Sequence, residues 1–129
     1  MAETAKTRVL VVDDASLVRM YYRDALERAG YEVDEALNGL EALEKLLVAP
    51  PDLLIVDVNM PQMDGVTFLK VLRRQDLPVS STPALVTTTE AGPQDRAAAQ
   101  AAGANFYLVK PVSPATLVAY ADMLSGRRP

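Results

Sequence analysis

Arg8-Val-Leu-Val-Val-Asp13-Asp14 decides how the rest of the chain is read: four apolar β-formers stop abruptly at two adjacent carboxylates. The pattern recurs three times. Leu53-Leu-Ile-Val56 runs into Asp57, Ala84-Leu-Val86 into Thr87-Thr-Thr89, and Phe106-Tyr-Leu-Val109 into Lys110-Pro111. A short, continuous apolar run suits a strand buried on both faces, as in a parallel sheet. If the runs are parallel, three carboxylates, a hydroxyl and an ammonium converge at one end of that sheet. Such a set suits a divalent cation and a phosphoryl group.

Between the strands lie segments of helical period. Ser16–Ala29 carries Val18, Tyr22, Ala25, Leu26 and Ala29 at helical spacing, and Gly30 is its stop. Tyr31–Glu35 alternates apolar and acidic residues, as an edge strand does. Asn38–Val48 reads as a helix with Leu40, Leu43 and Leu47 on its inner face, ended by Pro50-Pro51. A third helix spans Asp64–Arg74 with Phe68, Leu69 and Leu72 inward, and a polar loop leads from it to strand four, Ala84–Thr88. Pro93 opens an Ala-rich helix closed by Gly103, Asn105–Val109 is the fifth strand, and Ser113-Pro114 caps the last helix, with Leu117, Ala121 and Leu124 inward. Strict alternation of five strands and five helices implies an α/β, doubly wound parallel sheet covered on both faces. In the common order 2-1-3-4-5, ligands bind where the order reverses, beyond strands one and three. Asp13-Asp14 and Asp57 end those two strands.

Composition narrows the chemistry. A chain of 129 residues, half of them hydrophobic, fits one domain with a substantial core. It has no cysteine, which excludes disulfides, thiolate catalysis and Cys-ligated zinc and suits a cytoplasmic location. It has no histidine, which excludes Ser-His-Asp catalysis, imidazole ligands and phosphohistidine chemistry of its own. A net charge of −4 argues against nucleic-acid binding, and no apolar run is long enough for membrane insertion.

Taken singly, Asp13-Asp14 and Asp57 read equally as turn formers, and Lys110 as a solvated strand end. Together they read otherwise. Two carboxylates ~4 Å apart at a half-buried site repel by about 4 kcal/mol at an effective dielectric of 20, a cost that a bound cation relieves. Hard oxygen donors without His or Cys select Mg²⁺, Mn²⁺ or Ca²⁺, and so few acids suit Mg²⁺ with waters and a phosphate better than a calcium cage. Lys110 aims an ammonium at the cluster, and Pro111 after it is a candidate for a cis bond.

Four motifs in order carry a family resemblance: Val11-Val12-Asp13-Asp14, Asp57-Val-Asn-Met-Pro-Gln-Met-Asp-Gly65, the Thr ending strand four, and Tyr107-Leu-Val-Lys-Pro111. From Thr7 to about Ser125 the chain resembles the receiver domain of two-component response regulators, in particular the stand-alone CheY-like chemotaxis regulators. The resemblance implies a flavodoxin-like (βα)5 three-layer sandwich, a single receiver domain over residues 1–129 with short mobile tails at 1–7 and 125–129. It implies that Asp57 accepts a phosphoryl group from a histidine kinase or phosphotransfer protein. Asp14, Asp57 and the backbone carbonyl of Asn59 would hold Mg²⁺ or Mn²⁺, with Asp13 acting through water. Lys110 would neutralise the acyl phosphate, and Tyr107 is the aromatic switch. Of three consecutive threonines, Thr88 matches the switch hydroxyl, because it stands 22 residues before Lys110 and five after Pro83, as in the family. Asn59 and Glu90 occupy positions that tune hydrolysis. Thr89 departs from the usual Ala or Gly, and its branched side chain is expected to restrict access.

The resemblance implies a signalling switch that catalyses only its own phosphorylation and dephosphorylation. Its expected output is a protein target on the face formed by helix four, strand five and helix five, with chemotaxis or flagellar motor control as one setting. No effector domain is expected after Leu124. Two readings compete. A phosphate sink or shuttle shares every site residue. A haloacid dehalogenase-like phosphohydrolase also uses Asp, Thr, Lys and Mg²⁺, but needs an Asp where Asn59 stands and a nucleophile on the first strand.

Overall fold

The computed structural model describes residues 6–89 and 92–126. Five strands, β1 (Arg8–Val12), β2 (Glu32–Ala36), β3 (Leu53–Asp57), β4 (Ala84–Thr88) and β5 (Phe106–Val109), alternate with five helices. These are α1 (Ser16–Arg28), α2 (Gly39–Val48), α3 (Gly65–Arg73), α4 (Pro93–Ala102) and α5 (Pro114–Ser125). All neighbouring strands are parallel, in the order β2-β1-β3-β4-β5, the doubly wound flavodoxin-like arrangement. Local chemistry starts the helices where expected. Asn38, Asp64 and Ser113 accept hydrogen bonds from the backbone N–H groups of Glu41, Thr67 and Thr116.

Strand alternation divides the core in two. Val9, Val11, Leu53, Ile55 and Leu85 pack under α1 and α5 with Tyr22, Leu26 and Leu117. Leu10, Val12, Leu54, Val56 and Val86 face α2, α3 and α4 with Leu46, Phe68, Leu69 and Ala99. The two faces meet different helices, so any residue that follows a strand inherits its face from its parity.

Two expectations change. The inner face of α2 is not Leu40, Leu43 and Leu47: Leu40 and Leu47 are exposed, and Gly39, Ala42 and Leu46 are buried, with Leu43 partly covered. The helix turns about one residue further because its first turn abuts Met63, where a Cβ on Gly39 would stand 2.7 Å from the Met63 Cγ. β5 is as apolar as the central strands, yet it forms a sheet edge and leaves Phe106 and Val109 exposed. Of the tails, Thr7 accepts a hydrogen bond from the Glu32 N–H and Ser125 ends α5, while residues 1–5 and 127–129 lie outside the described residues.

Arg73 fastens the amino-terminal end of the sheet to the end of α4. Its guanidinium donates to the carbonyls of Ser80 (2.9 Å), Thr82 (2.6 Å) and Gly103 (2.7 and 3.1 Å) and to Asn105 Oδ1 (3.1 Å). Nothing in the sequence pattern distinguishes it from Arg74, whose side chain is exposed. Arg73→Met keeps the aliphatic stem and strands these acceptors, and is expected to cost about 2–3 kcal/mol in urea unfolding. Stability within experimental error of the parent would contradict that role.

Candidate functional site

Asp13, Asp57, Thr87 and Lys110 each follow by two residues a side chain of the α1/α5 core face: Val11, Ile55, Leu85 and Leu108. Parallel pairing in register then brings them to one carboxyl-end edge, with Val12 opposite Val56, Asp57 opposite Thr87 and Thr87 opposite Leu108. One carboxylate oxygen from each of Asp13, Asp14 and Asp57 lies within 4.8 Å of the other two. Asp13 and Asp57 are buried, at 1% and 6% exposure, whereas Asp14 is exposed. The Lys110 ammonium bridges the buried pair, 2.8 Å from Asp13 Oδ2 and 3.3 Å from Asp57 Oδ1.

The turns that hold these groups are tight. The Asp13 N–H donates to the Ala36 carbonyl, and Asp13 Oδ1 accepts from the Ala15 N–H at 2.9 Å. Arg19, buried on α1, donates to the Asp13 carbonyl (2.6 Å) and to Glu35 Oε1 (2.9 Å), and Glu35 is also held by Arg23 (2.6 Å). After β3 the chain doubles back, and the Gly65 N–H donates to the Val58 carbonyl at 2.9 Å. A Cβ on Gly65 would collide with the Asp57 carbonyl oxygen, so only glycine fits there. Sequence reading missed Arg19 and the reason for Gly65. A charged residue inside the apolar stripe of α1 was the available signal for the first.

The remaining candidates divide. Thr88 shares the α2–α4 face with Val86 by alternation, and Tyr107 packs against that same core. The Arg96 guanidinium lies over the Tyr107 ring, 5.1 Å from its centroid, and links α4 to β5. Thr89 is exposed and lines, with Tyr22 and Lys110, an apolar cavity of about 350 Å³ between α1 and the β5–α5 turn. Lys110–Pro111 is cis. Asn59 is exposed, and its backbone N–H bonds the Asp57 carboxylate. Glu90 lies outside the described residues.

Charge decides what the site can hold. Three carboxylates face one ammonium, so the edge stays electronegative. Burial pushes the Asp57 carboxyl above its ordinary pKa, the Asp13 charge pushes it further, and Lys110 and the Asn59 N–H oppose both. Burial acts to depress the Lys110 ammonium, but its hydrogen bond to Asp13 and the charges of Asp13 and Asp57 outweigh that and raise its pKa. The donor set is all hard oxygen and fits Mg²⁺ or Mn²⁺. Asp13 has one oxygen on Ala15 N–H and the other on Lys110, which leaves Asp14 and Asp57 better able to ligate directly.

A raised folded pKa means that the unfolded chain ionises Asp57 first. Wild type therefore loses stability as pH climbs from the ordinary carboxylate range through the higher folded value. Asp57→Asn removes that loss while Asp13 still pairs Lys110. Without divalent cations the variant is expected to be the more stable protein at pH 7, by on the order of 1 kcal/mol, with the advantage shrinking as pH falls toward 4. Urea unfolding at both pH values measures it, and a variant less stable than wild type at pH 7 would contradict the electrostatic account.

This geometry agrees with known relatives. The model of the response regulator receiver domain matches residues 9–122. The structure of the chemotaxis protein CheY4 of Vibrio cholerae superposes with a TM-score of 0.87 at 41% identity, covering 93% of this chain and 99% of that one. A putative response regulator from Chloroflexus aurantiacus gives 0.88 at 36% identity, covering 95% of this chain and 100% of that one. The transcriptional regulatory protein PrrA of Mycobacterium leprae is 41% identical over 121 residues, 94% of this chain and 51% of that protein. A protein-glutamate methylesterase/protein-glutamine glutaminase of Archaeoglobus fulgidus is 46% identical over 106 residues, 81% of this chain and 30% of that protein. The chain thus spans about half the length, or less, of the curated relatives it matches. It belongs to the family of response regulator receiver domains, the CheY-like signalling modules of two-component systems.

Proposed function

We propose that Asp57 accepts a phosphoryl group from the phosphohistidine of a histidine kinase or phosphotransfer protein, and that the modified domain changes its binding to a protein target. The observation that carries this reading is the buried Asp57 carboxylate, bridged to Asp13 by Lys110 and within 4.8 Å of Asp14. An Asp57 oxygen attacks the donor phosphorus and forms a new O–P bond. The donor's P–N bond, or the P–O bond of a small acyl phosphate, breaks with its electron pair on the leaving group. Lys110 exchanges its Asp57 contact for a phosphoryl oxygen, and the Thr88 hydroxyl offers a second donor from the next strand. Asp14, Asp57 and the Asn59 carbonyl would hold Mg²⁺, with Asp13 linked through water, and the ion would supply charge neutralisation to the acids and the phosphoryl oxygens.

Output needs a second packing. Shifting a two-state population from 1:99 to 99:1 takes about 5.5 kcal/mol of differential interaction. New bonds at Thr88 and Lys110, together with movement of Tyr107 beneath Arg96, are of the right kind. The exposed Phe106, Val109 and Met123 favour the α4–β5–α5 face for the target. Motor or chemotaxis control is the setting we favour, because the chemotaxis protein CheY4 matches 93% of this chain at 41% identity. A single receiver domain in a reducing cytoplasm suits a chain without cysteine.

Incubation with Mg²⁺ and a cognate kinase or small acyl phosphate is expected to add one phosphoryl group, read by intact mass. Asp57→Asn should add none, and chelation of the metal should abolish labelling of wild type. An unmodified wild type with its own kinase, or an equally modified variant, would overturn the assignment. Thr89→Ala is expected to react severalfold faster with small acyl phosphates than wild type, and equal rates would remove Thr89 from the account.

A further inference from the structure

Thr87 is a buried polar residue that the reading above does not use. It sits in β4 directly opposite Asp57, has no exposed surface, and its Oγ1 has no hydrogen-bond partner. Valine has the same shape and the same strand preference, so an unpartnered hydroxyl here carries a desolvation cost with no structural return. A second buried hydroxyl on that face, near the carboxyl-end edge, is that of Tyr22. Tyr22, 2% exposed, packs from α1 onto the core face that carries Asp13, Asp57, Thr87 and Lys110, and it lines the same cavity as Lys110. The electrostatics agree: burial raises the Tyr22 pKa above its ordinary value, and the nearby Thr87 hydroxyl and Lys110 charge act against that rise. The Tyr22 hydroxyl therefore stays protonated, able to donate and accept.

An ammonium has three N–H donors. Two of those on Lys110 serve Asp13 Oδ2 and Asp57 Oδ1. We infer that Tyr22 and Thr87 form a positioning pair for Lys110: the Tyr22 oxygen accepts the third ammonium hydrogen bond when Lys110, still paired to Asp13, exchanges its Asp57 contact for a phosphoryl oxygen, and the Tyr22 hydroxyl then donates to Thr87 Oγ1. The inference rests on Asp57 as the phosphoacceptor. It assigns to Tyr22 and Thr87 a role in which neither touches the phosphoryl group. Both act through the orientation of Lys110, and each needs the other, since Thr87 without Tyr22 has no donor to accept from.

The test uses beryllofluoride, a tetrahedral stand-in for a carboxylate-bound phosphoryl group, titrated into Mg²⁺-saturated protein by calorimetry, with Mg²⁺ alone as a separate titration. Tyr22→Phe and Thr87→Val remove one oxygen each and keep the packing. Each is expected to weaken beryllofluoride about tenfold, the loss of one hydrogen bond to a charged group. The double variant should be no weaker than the worse single one, because the two act as a unit. Mg²⁺ affinity should not change, Thr87→Ser should restore binding, and Thr87→Val should raise the Tm by about 3 °C by removing the stranded hydroxyl. Unchanged beryllofluoride affinity in both single variants, while wild type binds, would overturn the positioning pair alone. Parallel losses of Mg²⁺ and beryllofluoride would also overturn it, marking general damage to the site. Failure of wild type to bind beryllofluoride would overturn the phosphoacceptor reading together with it.

Discussion

Two carboxylates at the ends of adjacent strands repel, and this fold places them side by side because β1 and β3 are neighbours at the point where strand order reverses. What lets Asp13 and Asp57 coexist is one ammonium. Lys110 arrives at the far edge of the sheet, from β5, and spans the gap to both acids. Its bonds cross three strands, so the position of the β5–α5 turn is tied to the charge state of the acid pair. Any cation or phosphoryl group that enters must renegotiate those bonds. The surrounding chain holds the pair in place: a parallel sheet lies beneath, Gly65 closes the loop against Asp57, and Arg19 holds the Asp13 backbone from behind.

The two faces of the sheet have different work. On the α1/α5 face lie the acids, Lys110, Thr87 and Tyr22, which handle charge. On the other face lie Tyr107 and, by alternation, Thr88, against α4, the face on which the proposed output would form. Arg73 pins the carboxyl-terminal end of α4 through Gly103, while Arg96 near its start rests on Tyr107. An α4 anchored at one end and resting on Tyr107 at the other suits a helix that pivots rather than translates.

The fold was largely legible because its signals are local and redundant. Apolar runs with polar stops mark β1, β3 and β4, Asn38, Asp64 and Ser113 cap as their chemistry demands, and alternation marks β2 as an edge. The α2 face was not legible. Leu40-Leu43-Leu47 and Gly39-Ala42-Leu46 are both helical stripes one residue apart, and the choice between them depends on Met63, which no local pattern connects to α2. The same limit applies at the site. Asp13, Asp57 and Lys110 announce themselves as charges that end apolar strands. In the sequence Tyr22 is one residue of the α1 stripe, Thr87 one of three threonines and Arg19 a charge beside that stripe, and only the fold gives them their neighbours.

The central claim is that Asp57, among three clustered acids, is the one that forms an acyl phosphate. Borohydride reduces an aspartyl phosphate to homoserine, so treating the phosphorylated protein and sequencing its peptides by mass spectrometry reads the acceptor directly. The account predicts homoserine at position 57 and intact aspartate at positions 13 and 14. Homoserine at either of those two positions, or at none of the three in protein that carries a phosphoryl group, would contradict it.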